Sequence, residues 1–252
     1  MHTLLPMPNQ GPDRPELTED ELTAHYEVVT DDRPHLRLNF VASVDGAASV
    51  HGRSAGLQTP ADGRVFALLR DLADVVLVGA GTVRAERYDA LRPGAARQAR
   101  RGALGRAAVP TLAIVSAALD LDPAATPFTA TGPRTIVITH ANAPEQRRRV
   151  LAEVADLVVA GEDRIDLPGA LAELAGRGLS RVLCEGGPQL FGALLAAGCV
   201  DELCLTVSPL LAGAAAGRII AGPPLPHPAR LRLTHLLTED GALLCRYQIV
   251  AG

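Results

Sequence analysis

The chain contains no lysine; all 24 of its cationic side chains are arginine. Schiff-base chemistry on a lysine amine is therefore excluded, and the bias reads as one of coding rather than as a device of a site. A global positive field is missing too. With a net charge of −4 and a pI of about 6.0, the surface is not built to collect nucleic acid or an acidic membrane, and neither is expected as a partner. No uninterrupted apolar run reaches the roughly 18 residues that a spanning helix needs. The four cysteines, at 184, 199, 204 and 245, form no CxxC pair and have no histidine at metal-ligand spacing, so no metal is expected. Cys184, Cys204 and Cys245 stand in apolar runs and read as small buried hydrophobes of a reducing compartment. The opening MHTLLPMPNQGPDRPELTEDEL lacks the basic start and apolar segment of a secretory leader and is broken by prolines at 6, 8, 12 and 15. The expected location is the cytoplasm.

What is present is an alternation. A length of 252 residues, 48% hydrophobic and 21% charged, suits one large domain or two small ones. A short acidic helix is expected near 18–25, then a strand over HLRLNFVAS, 35–43, ending at Asp45-Gly46. After a glycine-rich loop, Thr59-Pro60 reads as a helix start, threonine as cap and proline in the first position, with Val65, Leu68, Leu69 and Leu72 on one face. Strand VVLVG follows, and then TLAIVS (111–116), RTIVIT (134–139), DLVVAG (156–161) and RVLCEG (181–186), with helices over about 143–153, 166–177 and 188–197. Runs apolar on both faces are those of a parallel sheet covered on both sides. The tail has no helix between its strands, and TEDGA at 238–242 has hairpin chemistry. The expected class is α/β, a mostly parallel central sheet with helices on both faces and antiparallel C-terminal strands. The arginine-rich stretch 92–109 is expected to be a surface loop or frayed helix with a solvated face. No internal repeat is evident.

Two glycine corners carry the functional signal. In VLVGAGTVRAERY, 76–88, a strand runs into Gly79-Ala80-Gly81-Thr82; in RVLCEGGPQLF, from 181, another runs into Glu185-Gly186-Gly187-Pro188. Glycines let the backbone approach a ligand, and the amides that open the next helix favour an anion. Either corner alone is also what an ordinary strand-to-helix junction looks like. Gly-Ala-Gly-Thr-Val-Arg lacks the third glycine of the dinucleotide fingerprint, and no acidic residue ends the following strand. Two such corners at the carboxyl ends of neighbouring parallel strands would suit a dinucleotide pyrophosphate. VASVDG is not GxSxG, so no serine-hydrolase elbow is present.

Ser43-Val44-Asp45-Gly46, LADVVLVGAGTVRAE at 72–86 and VLCEGGPQLFGALLAAGCVDEL at 182–203, in that order and spacing, resemble the pyrimidine reductase family of riboflavin biosynthesis. This is the reductase part of the bifunctional deaminase-reductase, with a dihydrofolate reductase-like fold. The resemblance covers roughly residues 35–250 and is greatest to stand-alone forms, because the deaminase's H-x-E and P-C-x-x-C zinc signature is absent. It divides the chain into an N-terminal extension, 1–33, and a single reductase domain, 34–252.

The resemblance implies NADPH lying across the strand ends, touching Val41, Thr82 and Glu86, with its pyrophosphate on Gly187, Pro188, Gln189, Leu190 and Phe191. Gly186 and the Gly79, Ala80 and Gly81 backbone belong to the same seat, while Ser116 and Thr139, at strand ends, are candidates for the adenosine 2′-phosphate. On the substrate side it implies Ser54, Arg70 and Glu185: an arginine can hold a phosphate bidentately, and a carboxylate can accept hydrogens of a uracil or pterin ring. Asp45 is implied close to the reacting centre, steering protonation. Bland readings stand beside these. Arg70 could pair with Asp71 or Asp74 at the surface, Asp45 could form a turn, and Glu86 could be a first-turn carboxylate. His51 reads as an exposed loop imidazole. The family's usual Ala-Asp-Asp-Pro run is here Ala-Glu-Arg-Tyr-Asp-Ala-Leu-Arg, where Arg87 or Arg92 would have to serve the substrate. The implied reaction is hydride transfer from NADPH to the ribosyl C1′ of 5-amino-6-(5-phosphoribosylamino)uracil through an open-chain imine. Reduction of dihydrofolate or another pterin, and nucleotide binding without turnover, remain as alternatives. A homodimer through the terminal strands is expected, with LLAGAAAGRII, 210–220, supplying apolar surface.

Overall fold

The computed structural model describes residues 1–5, 16–30, 33–213, 216–225 and 227–250. In chain order the elements are β1 (His2–Leu5), α1 (Glu19–Tyr26), β2 (His35–Ser43), a 3-10 turn (Ser54–Leu57), α2 (Pro60–Leu72), β3 (Val75–Gly79) and α3 (Ala80–Ala85). Then come α4 (Ala95–Ala103), β4 (Thr111–Val115), α5 (Thr126–Thr129), β5 (Ile136–Thr139), α6 (Glu145–Val154), β6 (Asp156–Val159) and α7 (Leu167–Gly176). The chain finishes with β7 (Arg181–Cys184), α8 (Pro188–Ala196), β8 (Glu202–Ser208), β9 (Arg230–Glu239) and β10 (Ala242–Val250).

Among the described residues the strands join one sheet in the order β1-β9-β10-β8-β2-β7-β3-β4-β5-β6. From β8 to β6 every pairing is parallel, and β10, β9 and β1 add antiparallel strands at the other edge. Side chains alternate across a strand, and both faces of β3 are used. Val76 and Val78 pack with α2, while Val75 and Leu77 pack with α7 and α8. That double burial is why these strands read as continuous apolar runs.

Local signals explain the joints. Thr59 Oγ1 accepts the Asp62 amide at 3.1 Å, Pro60 opens α2, and Val65, Leu68, Leu69 and Leu72 are buried as the spacing requires. Each contributes about 1.5–3 kcal/mol by leaving water. Between β9 and β10, Asp240 (φ 49°) and Gly241 (φ 79°) make the left-handed pair of a two-residue hairpin. Cys184, Cys204 and Cys245 are buried, and burial pushes the Cys184 thiol up to about 12. No helix among the described residues is long and apolar enough to cross a membrane.

One expectation is corrected. Within 92–109 lies helix α4, and its Arg101 is only 1% exposed. The guanidinium donates to the carbonyls of Arg70 (2.8 Å), Asp71 (3.0 Å), Ala73 (2.7 Å) and Ala107 (2.6 Å). The last turn of α2 leaves carbonyls without helical partners, and a cation there also meets the negative end of the helix dipole. Residues of the N-terminal extension pack against the reductase fold. β1 pairs with β9, and Leu22 and Tyr26 of α1 are buried in the core beside α2.

Candidate active site

β7 lies between β2 and β3, so the strand order reverses there and a crevice opens beyond their carboxyl ends, where open α/β sheets bind ligands. The crevice is a cavity of about 570 Å³. Its floor is made by the two glycine corners, which interlock. Gly79 N–H donates to Gly186 O at 2.8 Å, and Glu185 N–H donates to Leu77 O at 3.0 Å. A β-carbon on Gly187 would stand 2.7 Å from Thr82 Oγ1, whereas one on Gly81 would meet nothing within 4 Å. The Gly186–Gly187 peptide is cis. Helix α8 starts here with Gly187 as its cap residue and no side chain over its first amides, which leaves those donors for a ligand. Bare backbone and unshielded amides at the floor of a cavity fit a nucleotide diphosphate.

Val41, Gly79, Gly81, Thr82 and Glu86 line this cavity, as do Gly187, Pro188, Gln189 and Leu190. Ala80 and Phe191 sit behind the wall, Phe191 stacked on Phe40 with ring centroids 5.2 Å apart. Gly186 (φ 104°) passes under the Phe40 ring. Ser116 and Thr139 are not brought to the cavity: they end β4 and β5, beyond β3, and Thr139 is fully buried.

Ser54 and Glu185 line the cavity too, and Arg70 reaches it through Glu185. Arg70 Nε and Nη2 donate to the two Glu185 oxygens at 2.6 and 2.7 Å, and Nη2 also donates to the Tyr88 hydroxyl at 2.7 Å. The Tyr88 hydroxyl in turn donates to Glu185 Oε2. Arg70 lies over the Phe66 ring, 4.3 Å from its centroid. Burial works against its charge, but the Glu185 bonds outweigh it and hold the guanidinium more firmly protonated than usual. Burial first, then the Glu185 charge, pushes the Tyr88 hydroxyl well up. The surface pairing open to Arg70 is not made: Asp71 pairs with Arg97 and Arg100, and Asp74 with Arg181.

Glu86 is not a first-turn carboxylate, since it caps the carboxyl end of α3. One of its oxygens accepts both the Ser54 amide (3.2 Å) and the Ser54 hydroxyl (3.3 Å), tying the 3-10 turn across the cavity. His51 is exposed in its loop, and neither Arg87 nor Arg92 lines the cavity.

Asp45 stands outside. Its carboxylate accepts the Ser43 hydroxyl and the amides of Ala212 (3.1 Å) and Gly213 (2.7 Å). Those bonds, the Ser43 one foremost, hold its carboxyl down to about 2. It forms a turn with Gly46 (φ 85°) and anchors the segment after β8. Asp45, expected near the reacting centre, does not line this cavity.

Sequence reasoning passed over Tyr88, Asp62, Asn39 and Arg218, all in the cavity wall. Asp62 is 4% exposed. Burial raises its carboxyl above the usual range, against a hydrogen bond from Thr206. The signal available was an acidic residue two positions after a helix-opening proline, and it reads as ordinary helix-start chemistry.

Residues 34–244 match the family described as the RibD C-terminal domain. The 2,5-diamino-6-ribosylamino-4(3H)-pyrimidinone 5′-phosphate reductase of Archaeoglobus fulgidus is 30% identical over 186 residues, 72% of this chain and 83% of the archaeal one. Riboflavin biosynthesis protein RibD of Bacillus amyloliquefaciens is 30% identical over 184 residues, which span 71% of this chain and 47% of RibD. Among solved structures, a pyrimidine reductase-like protein of Corynebacterium diphtheriae superposes with a TM-score of 0.78 at 27% identity, over 87% of this chain and 93% of that one.

Proposed function

Because the chain belongs to the RibD C-terminal domain family, whose curated relatives are reductases of riboflavin biosynthesis, we propose that this oxidoreductase reduces 5-amino-6-(5-phosphoribosylamino)uracil at the ribosyl C1′, with NADPH as reductant. One observation carries the reading: two glycine corners on adjacent parallel strands close on each other at Gly187 and Thr82, in the floor of a cavity of about 570 Å³. When bound, the reduced nicotinamide supplies hydride.

The chain's own groups do the rest. The unshielded amides of α8 hold the diphosphate, and Thr82 packs beside it. The Ser54–Glu86 bond holds the loop over the cavity and limits water. Arg70 and Tyr88 fix the Glu185 carboxylate, whose remaining lone pairs accept ring N–H groups. Arg70 is committed to Glu185, so the substrate phosphate falls to Arg218, which lines the cavity. A cytoplasmic homodimer is part of the proposal. β1 covers β9 only at Leu236–Thr238, and among the described residues the Arg230–Thr234 end of β9 has no strand beyond it.

The engagement of Arg70 also favours a second reading, reduction of a pterin, whose ring needs no phosphate anchor. Anaerobic loss of nicotinamide absorbance with each acceptor decides between them. Turnover of the pyrimidine phosphate supports the first reading and turnover of dihydrofolate alone supports the second. NADPH binding with no turnover of either would leave a nucleotide-binding homologue.

A further inference from the structure

We propose that Asp62 is the proton donor that accompanies hydride transfer, handing its carboxyl proton to the acceptor nitrogen from the cavity wall. The inference rests on the reductase reading above and adds the acid that reading lacks. Asp62 stands in the first turn of α2, almost wholly out of solvent, and shares its stretch of wall with Asn39, Gln58 and Phe66. Its hydrogen-bonding partner is the Thr206 hydroxyl, from the middle of β8. A hydroxyl can donate to a carboxylate and, after rotation, accept from a carboxylic acid, so Thr206 suits both states of the group.

Among the described residues this carboxyl makes no ion pair, although Arg218 lines the same cavity. On its own helix, Arg64 pairs with Glu19 and Glu239, and Arg70 with Glu185. From α4, Arg97 and Arg100 go to Asp71, and Arg101 goes to backbone carbonyls. From α1, Glu19 takes Arg64 and Arg100. On β7 and β10, Arg181 pairs with Asp74 and Arg246 with Glu202. A buried acid without a cationic partner keeps its proton to higher pH, in keeping with the upward shift of Asp62.

The other acids near the cavity are spoken for. Glu185 takes two N–H groups from Arg70, Glu86 accepts two donors from Ser54, and Asp45 does not line the cavity. In the balanced step the acceptor C=N becomes CH–NH. The carbon receives hydride, two electrons and one hydrogen, from the reduced nicotinamide, which leaves oxidised. The nitrogen receives the Asp62 proton, and the aspartate left behind is reprotonated from water.

Two measurements test this. Infrared difference titration of the ligand-free protein should reveal a protonated carboxyl band that persists above the ordinary aspartate range and is missing in Asp62→Asn. Single-turnover nicotinamide oxidation should slow as pH rises through the pKa of that band. Asp62→Asn should be slower by about a hundredfold and lose this pH dependence, with NADPH affinity within about twofold of wild type. Asp45→Asn should keep the wild-type profile. Thr206→Val removes the bond that favours the anion, so it should move the alkaline limb to higher pH, which serves if Asp62→Asn does not fold. Turnover by wild type with an unchanged profile in Asp62→Asn or in Thr206→Val, or no protonated band, overturns the role of Asp62 and leaves the reductase reading standing. A wild-type protein that shows the band but reduces neither acceptor overturns the reductase reading and the proton-donor role with it.

Discussion

Replacing Glu185 by glutamine keeps the shape of the side chain and removes its charge. The native carboxylate takes two N–H groups from Arg70 and the hydroxyl of Tyr88, and its side chain is 4% exposed against 22% for Arg70. An amide presents one acceptor oxygen and, in place of the other, a donor facing donors. Breaking a fully buried pair by neutralising one partner costs about 3–5 kcal/mol. Arg70 is about one-fifth exposed and recovers part of its hydration, so about 2–4 kcal/mol is expected here. For a domain of this size each kcal/mol lowers Tm by about 2–4 °C, so thermal unfolding followed by circular dichroism should show a fall of about 4–16 °C. The Arg70→Met and double variants complete a cycle, and the coupling should exceed about 1 kcal/mol. A fall under about 2 °C, with no coupling, would mean that water screens the pair and that Glu185 is not held for a ligand.

Other outcomes follow from particular contacts. Arg101→Ala strips partners from four carbonyls at and beyond the end of α2 and should cost about 3 kcal/mol or more in urea unfolding; Arg149→Ala, on an arginine 70% exposed, should stay within about 0.5 kcal/mol. Asp45 has a folded pKa of about 2, below an unfolded value of about 3.9. Its stabilising bonds are therefore fully present above about pH 4 and lost as pH falls toward 2. The Tm difference between wild type and Asp45→Asn should be constant from pH 7 to about 4 and shrink below it; a difference that grows in acid refutes the assignment. Light scattering after size exclusion should give twice 26.3 kDa, and a purely monomeric species contradicts pairing through β9.

How much of this was legible depends on whether a residue's role is written in its neighbours along the chain. Helix α2 was legible because Thr59-Pro60 and the Val65-Leu68-Leu69-Leu72 face are local signals. The central strands were legible because burial on both faces leaves continuous apolar runs. The glycine corners were legible as a pair, although only the sheet order makes β3 and β7 neighbours. Arg101 was not, since a guanidinium capping a helix thirty residues earlier has the same surroundings in sequence as a solvated one. β1 was missed because four residues carry no periodicity and its partner β9 lies at the other end of the chain. Asp45 and Asp62 differ in how much of their surroundings the sequence shows. A turn dipeptide beside family-like residues drew attention to Asp45, while burial, which distinguishes Asp62, exists only once α2 is packed on β8 and the cavity has formed.

The central claim is that the two corners seat one nucleotide diphosphate. Fluorescence titration of NADPH against wild type and Gly187→Val tests it most directly, because the backbone at Gly187 (φ −86°) accepts a side chain while its β-carbon would fall 2.7 Å from Thr82 Oγ1, in the floor of the seat. Saturable binding by wild type, weakened at least about thirtyfold in the variant while its fold is retained, is the result the account predicts. Equal affinity for the two proteins, or no binding by wild type, would contradict it.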